Sequence, residues 1–471
     1  MKYIVSFLVV LCPFLIWANN LQISNVGQNQ AAGEVSFTIS WDNSWRIDGL
    51  GTPNHWDAAW VFVKIRACGA SASVPWTHGV INTTIGSHSF GSLEPTLADG
   101  SAVGIDAAPN NTGVMLRRNA TGLFPNAATT NVTLRLDNFP ATGDYEVKVI
   151  GVEMVYVPQG DYVAGGQSES QPLRVNGAPF VVNSENAVTV AYLNTTTVNL
   201  PAAFPKGFEA FYCMKYEISQ GQYATFLNTI EAAGQSVRFL ASFNTNRNRI
   251  NSGGTPPDIY FSDRTDRACN FLTWDDLLAY LDWAALRPIT EMEYEKAARG
   301  QAPYLGGYAW GSTNITNVSQ LGTPEDGTEL ALNANANASY SNTLLSGGDG
   351  GYGPVRVGIF ATSSTTSREQ TGASYYGIME MSGNLWEQCI PVNPDAAILA
   401  YDGQWGDGNL SATGTADVTN WPYTNCTGSC LRTLRGGSYA DAATRLRISD
   451  RFYYTYTTTT RNRSVGGRGA R

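Results

Sequence analysis

Short alternating runs of apolar and polar residues set the pattern of the first third of the chain. Val35–Trp41, Ala59–Ile65, Asn131–Leu136 and Tyr145–Val149 recur between clusters of Gly, Pro and Asn. Alternation with a period of two predicts half-buried strands, and turn residues between them predict a β-sandwich module over 19–150, Ig-like in type. From 151 onward the pattern changes. Ser219 followed by Gln222 is a capping box that opens SQGQYATFLNTIEAAG, with Gly234 as the stop. Thr273 precedes the amphipathic run WDDLLAYLDWAAL. Thr290 followed by Glu293 opens EMEYEKAAR, and Gly300 ends it. These three main helices lie in a background of loop and short strand, so the expected class is α+β. The stretch 301–376 is long and rich in Gly, Ser, Asn and Thr. A loop of that length in a compact domain needs staples of its own, such as metal ions.

The chain begins MKYIVSFLVVLCPFLIWA, in which Lys2 leads an apolar run closed by Ala18. This reads as a secretory signal peptide over 1–18, cleaved before Asn19. The run from Tyr3 to Ala18 is short of the roughly 20 residues that span a bilayer. No later stretch is long and apolar enough to span. Export to the periplasm, cell surface or medium is expected. After cleavage six cysteines remain: Cys68, Cys213, Cys269, Cys389, Cys426 and Cys430. An even count in an exported chain predicts disulfides, and Cys426 and Cys430 are close enough to bridge locally. A zinc site is the weaker alternative, because neither a second close pair nor a nearby His accompanies them.

Composition narrows the chemistry. The net charge of −9 and the absence of a basic stripe argue against a nucleic-acid partner. The three histidines, His55, His78 and His88, all lie in the first fifth of the 471 residues. Histidine-metal and Ser-His-Asp chemistry in the remainder therefore needs one of those three to reach across. The block Leu50–Trp76 holds Trp56, Trp60 and Trp76. Core packing of these rings is favoured over an aromatic ligand platform.

Seven segments of 151–471 together resemble the formylglycine-generating enzyme (sulfatase-modifying factor) domain. They are EMVYVPQGDY at 153–162, FYCMKYEISQGQYATFLN at 211–228, LRPITEMEYEKAARG at 286–300, YAWG at 308–311, YYGIMEMSGNLWE at 375–387, LRGGSY at 434–439 and GGRGAR at 466–471. The resemblance implies a loop-rich fold related to C-type lectins. Active members carry two cysteines after RGGSY that bind copper and oxidise a substrate cysteine. Those positions fall here on Asp441 and Leu446. Without soft thiolates, copper is not expected. Nor does this region contain the histidines of the iron-dependent branch. The RGGS segment then reads as a backbone turn, with Arg435 paired to a buried carboxylate.

The resemblance further implies two structural calcium sites. One set is Glu380, Gly383, Leu385 and Glu387, with carbonyls from the middle pair. The other is Asn335, Ala336, Asp349 and Gly351. Mixed carboxylate and carbonyl oxygens suit calcium. The competing expectation places Glu387 in a hydrogen-bond network under Trp386.

The C-terminal segment interleaves Tyr453, Tyr454, Tyr456 and Thr457–Thr460 with arginines. Together with Ser438, Tyr439, Asp441, Arg445, Arg447 and Arg451 it forms the candidate ligand surface, because aromatic area mixed with hydrogen-bonding groups makes an adaptable contact. In relatives this segment lies where the active site opens, and some relatives diversified by retroelements vary it. A polar loop with Arg447 and Arg451 buried in ion pairs is the alternative. The favoured function is an exported, non-catalytic binding or structural protein that recognises an envelope or surface protein or a glycan. The competing functions are an enzyme with an altered site around Asp441, Asp450, Arg445 and Arg447, and a displayed, diversified ligand-binding protein.

Overall fold

A computed structural model describes residues 21–471 except 48–53, 71–73, 75, 107–110, 126–128, 242–243 and 302–304. The signal peptide expected at 1–18, with its cleavage point, lies outside the described residues.

The fold is strand-rich, with few helices and long loops, consistent with the α+β class. Three strands, Gln22–Asn29, Glu34–Ser40 and Thr130–Arg135, form an antiparallel sheet. Opposite it runs a larger sheet built on two 13-residue strands, His55–Ala67 and Tyr145–Val157. The alternation seen in sequence decides how His55–Ala67 is used. Ala59, Val61, Val63 and Ile65 pack with Val35, Phe37, Ile39 and Trp41 in one core. Ala58, Trp60 and Phe62 point the other way into the main core. The strand is thus buried on both faces and separates two cores.

The boundary expected at 150/151 falls inside one continuous strand. Tyr145–Ile150 pairs with Phe62–Ala67, and Met154–Val157 also pairs with Phe211–Met214. The two expected units therefore share a sheet and have no linker between them. The tryptophans serve this junction. Trp60 Nε1 donates to the Ala284 carbonyl, and Trp56 stacks on Tyr156 at 4.0 Å while donating to the Tyr212 hydroxyl.

Helices α1 (Gln220–Leu227), α2 (Ala232–Arg238), α3 (Trp274–Trp283) and α4 (Glu291–Arg299) follow. Capping boxes form at Ser219/Gln222, Thr273/Asp276 and Thr290/Glu293. The helix expected to run from Ser219 to Gly234 is two helices. Asn228 exchanges side-chain hydrogen bonds with the backbone of Tyr260, and the Thr229 hydroxyl bonds back to Thr225 and Phe226, which ends the first helix. Gly234 does not stop anything. It sits inside α2, where a Cβ would meet the Gly414 Cα at 3.0 Å.

The long 301–376 stretch is stapled by side chains. Asn317, Asn333 and Asn337 bind neighbouring backbone, and Arg247 and Arg267 converge on Glu325 and Asp349.

Candidate ligand-binding site

The RGGSY segment enters the site on the strand Thr433–Arg435, which pairs with Trp386–Cys389. Arg435 is fully buried. It binds Glu295 Oε1 at 2.6 Å, Glu291 Oε2 at 3.3 Å and the Ile448 carbonyl, as the backbone-turn reading expected. The turn then presents Ser438, whose hydroxyl donates to the Asp441 carboxylate in a short hydrogen bond. Trp386 also hydrogen-bonds that carboxylate. Burial pushes the Asp441 carboxyl up, and these two bonds oppose it. Leu446 is fully buried among Tyr308, Trp310 and Ala338. The two positions that carry thiols in active relatives thus hold one half-buried acid and one core side chain.

The remaining sulfur is elsewhere. Cys426 and Cys430 form a disulfide. Cys213, Cys269 and Cys389 are buried, and burial raises each thiol above its usual range. Cys68 is exposed.

Of the residues expected on the ligand surface, Ser438, Tyr439 and Arg451 are buried instead. Arg451 is consumed by Glu291, with bonds of 2.6 and 2.8 Å, and by the Gln171 carbonyl. Arg447 is half-buried and hydrogen-bonds Tyr308. The exposed or half-exposed part is Asp441, Arg445, Tyr453, Tyr454 and Tyr456. Phe452 joins them at 46% exposure. Nothing in its sequence pattern separates it from a core phenylalanine.

These side chains are ordered by contact. The Arg445 guanidinium stacks 3.6 Å over the Phe452 ring and pairs with Asp450 at 3.3 Å. Phe452 meets Tyr453 edge-on at 4.8 Å. Tyr453 in turn meets Trp386 at 5.3 Å and Tyr456 at 5.5 Å. Arg432 lies 4.8 Å over Tyr456, and those two residues exchange both backbone hydrogen bonds. The segment is therefore tied down at its backbone, with Tyr453 and Tyr456 half-buried against Trp386, Leu434 and Val465 while Phe452 and Thr457–Thr460 are exposed.

At the first expected calcium set, Gly383 takes a φ of +105°, and a Cβ there would meet the Ser339 carbonyl at 2.7 Å. Glu387 gives both oxygens to Arg468, at 2.6 and 2.7 Å. The Leu385 amide donates to Glu217. Glu380 accepts from the Gly358 amide, and its second oxygen is buried without a hydrogen-bond partner among the described residues. Burial pushes Glu380 up to about 7 and Glu217 well above its usual range. Three buried carboxylates thus face Arg468, with Arg356 also acting on Glu380, and an orphaned oxygen remains among the described residues. That surplus fits an added cation, although Glu387 itself is engaged. At the second set, Asp349 is bound by Arg247 and Arg267 and lies 3.4 Å from Arg264. The Gly351 carbonyl accepts from Leu345. A cation there would meet three guanidinium groups. Asn335 is exposed with a φ of 60°, and Ala336 is buried.

The family described as "Sulfatase-modifying factor enzyme 1-like domain" matches residues 147–471. The chain belongs to this family. A formylglycine-generating enzyme of Thermomonospora curvata is 28% identical over 139 residues, which cover 28% of this chain and 36% of that enzyme. The chain therefore spans about a third of the length of this curated relative. Among solved structures, Treponema denticola variable protein 1 is 15% identical, covering 68% of this chain and 95% of that one, at a TM-score of 0.33. A Streptococcus parasanguinis structure, titled for pH-induced modulation of adhesion by Fap1 fimbriae, is 14% identical. It covers 38% of this chain and 80% of that one at a TM-score of 0.15. No helix among the described residues is long and apolar enough to cross a membrane.

Proposed function

We propose that this protein is an exported binding or structural member of its family, without the oxidase chemistry, and that it recognises a surface protein or glycan. The reading includes a signal peptide at 1–18, an N-terminal β-sandwich over 19–150 and a C-type-lectin-related domain thereafter. The observation that carries it is the contact ladder Arg445–Phe452–Tyr453–Tyr456. It sits on a tethered backbone beside the two positions where active relatives keep their thiols. Rigid aromatic area with exposed threonine hydroxyls beside it gives contact at low entropy cost.

Calcium at Glu380, Gly383, Leu385 and Glu387 is the cofactor of this reading, with a structural role in the loop that carries Trp386. The set at Asn335, Ala336, Asp349 and Gly351 is less favoured, because guanidinium groups surround its carboxylate.

The test is a pull-down from envelope extract with residues 19–471 as bait, in calcium and then in chelator, read for proteins and glycans. A Phe452→Ala, Tyr453→Ala bait is run beside it. Partners lost from the double variant support the reading. Partners retained by it overturn the placement of the site, and stoichiometric copper with oxidation of a cysteine peptide overturns the function.

One observation favours a second reading. The Ser438–Asp441 contact places a hydroxyl against a carboxyl pushed up by burial, in the position of the family's reaction centre. Such pairs serve acid–base chemistry in other sites. If Asp441→Ala leaves every function of the protein intact, this reading falls.

A further inference from the structure

Away from that segment, three ionisable side chains meet in the wall between the two cores. Lys215 follows the strand Phe211–Met214, Glu153 lies on Tyr145–Val157, and Asp57 lies on His55–Ala67. The middle strand carries the glutamate, one flanking strand carries the aspartate, and the lysine stands just past the end of the other. All three are buried. Lys215 Nζ is 3.2 Å from Asp57 Oδ2 and 3.0 Å from Glu153 Oε2. The rings of Trp45 and Tyr216 lie 5.0 and 5.4 Å from the same nitrogen and keep water away.

The surroundings of Asp57 are divided by oxygen. Oδ1 accepts from the Ser44 hydroxyl at 2.7 Å and from the Trp45 amide at 3.0 Å. Oδ2 accepts from Trp41 Nε1 at 3.1 Å and from Lys215. Two fixed donors on one carboxyl oxygen are the arrangement that stabilises an oxyanion during acyl transfer. The other oxygen then carries the nucleophile's proton and a donor suited to a leaving group. Glu153 Oε1 is buried and has no hydrogen-bond partner among the described residues, so it is free to relay a proton.

We propose that Lys215 and Asp57 join in an intramolecular amide bond, with Glu153 as the proton relay. The Lys215 ammonium passes one proton to Asp57 Oδ2, leaving a neutral amine and a carboxylic acid. The amine lone pair forms the N–C bond at Asp57 Cγ, and the carbonyl electrons move to Oδ1, between Ser44 and Trp45. A second nitrogen proton goes to Glu153, which returns one to Oδ2. The C–O bond breaks and water leaves. The third proton stays on the amide nitrogen, so the step is a condensation that needs neither oxidant nor reductant. The product ties residue 57 to residue 215 and removes a pair of opposite charges from the interior. Burial opposes both charged forms at the start: it pushes Glu153 up, and Lys215 remains charged only because the neighbouring carboxylates outweigh it. The ion pair is therefore the resting state, and the condensation starts from the proton transfer within the Lys215–Asp57 contact.

The test is the intact mass of the full chain, purified folded, then reduced and denatured. The expected result is a wild-type mass lower than the sequence mass by one water. A digest should then yield a branched peptide joined at Lys215 and Asp57. Lys215→Arg and Asp57→Ala should restore the full mass, and Glu153→Gln should slow the loss of water or abolish it. Folded wild type at full mass overturns the proposal and leaves a buried ion-pair triad. Loss of water at any other position overturns it too. The wild-type measurement decides even if the variants do not fold.

Discussion

Arg468 and Glu387 stand 81 residues apart in sequence and meet through two hydrogen bonds, of 2.6 and 2.7 Å, with neither side chain exposed. Arg468 also binds the carbonyls of Met214 and Met379, at 3.0 and 2.8 Å. One guanidinium thereby joins the closing GGRGAR motif to the GNLWE loop and to the strand Phe211–Met214. Removing it would leave Glu387 buried beside Glu217 and Glu380 with their main counter-charge gone. Breaking one side of a buried pair costs about 3–5 kcal/mol. Arg468→Met should lose stability on that scale in urea unfolding, and Arg468→Lys should lose less. A loss under about 1 kcal/mol for the methionine variant, which is the range of an exposed pair, would refute this account.

Glu380 supplies a pH dependence. Its carboxyl is pushed up to about 7 in the folded protein, above the ordinary carboxylate value of the unfolded chain. The folded state therefore holds the proton more tightly, and the stabilisation is complete below the unfolded value and lost as pH rises through about 7. In chelator, the stability difference between wild type and Glu380→Gln should change between pH 5 and pH 8, with the wild type losing ground at the higher pH. Titrating groups that do not touch Glu380 cancel in that difference, while Glu217, which Glu380 itself pushes up, shifts with it. Calcium acts in the opposite sense. If it binds here, it should stabilise the wild type more at pH 8 than at pH 5, and Glu380→Gln should abolish the effect. A calcium response that survives the glutamine variant would place the ion elsewhere.

Local rules made parts of this molecule legible from sequence. The capping boxes at Ser219 and Thr290 are contained in four-residue windows, so both residues mark helix starts as their spacing requires, whereas the box that Thr273 forms with Asp276 lies outside the Glu/Gln pattern. The alternating runs mark strands for the same reason. What was not legible depends on distant residues. The end of α1 is set by Asn228 holding Tyr260, and the depth of Arg451 by Glu291, 160 positions away. The shared sheet is not legible because a strand interior carries no mark of which partners sit on its two edges. Gly234 looks like a stop only until Gly414 is known to press against it.

Thr290 tests the local rules directly. Its hydroxyl accepts from the Glu293 amide at 3.1 Å and donates to the Pro205 carbonyl at 3.0 Å, so it anchors α4 at both levels. Thr290→Ala should cost about 1 kcal/mol for the cap alone. Because the site is buried, an unsatisfied Pro205 carbonyl should add to that figure. Thr290→Ser keeps both bonds and should stay close to wild type in chemical unfolding. Equal losses in the two variants would assign the effect to the lost methyl group rather than to the hydrogen bonds.

The exposed end of the ladder, Phe452, gives the sharpest separation of binding from stability. Phe452 is 46% exposed, and its ring is covered by Arg445 on one side and met by Tyr453 on the other. Truncation of an exposed ring away from a core should change stability by about 0.5 kcal/mol or less. If the ladder is the contact surface, the same truncation removes an anchor, and aromatic anchors at protein interfaces cost about 2 kcal/mol or more, roughly 30-fold in affinity. Phe452→Ala should therefore weaken partner capture on that scale at unchanged unfolding midpoint. Tyr454→Ala should act in the same direction, since that ring flanks the ladder. Leu446→Ala makes the converse control: it opens a cavity among Tyr308, Trp310 and Ala338 and should cost about 2–5 kcal/mol of stability. Capture that is insensitive to Phe452→Ala and Tyr454→Ala, in protein that remains folded, would move the binding site off this segment.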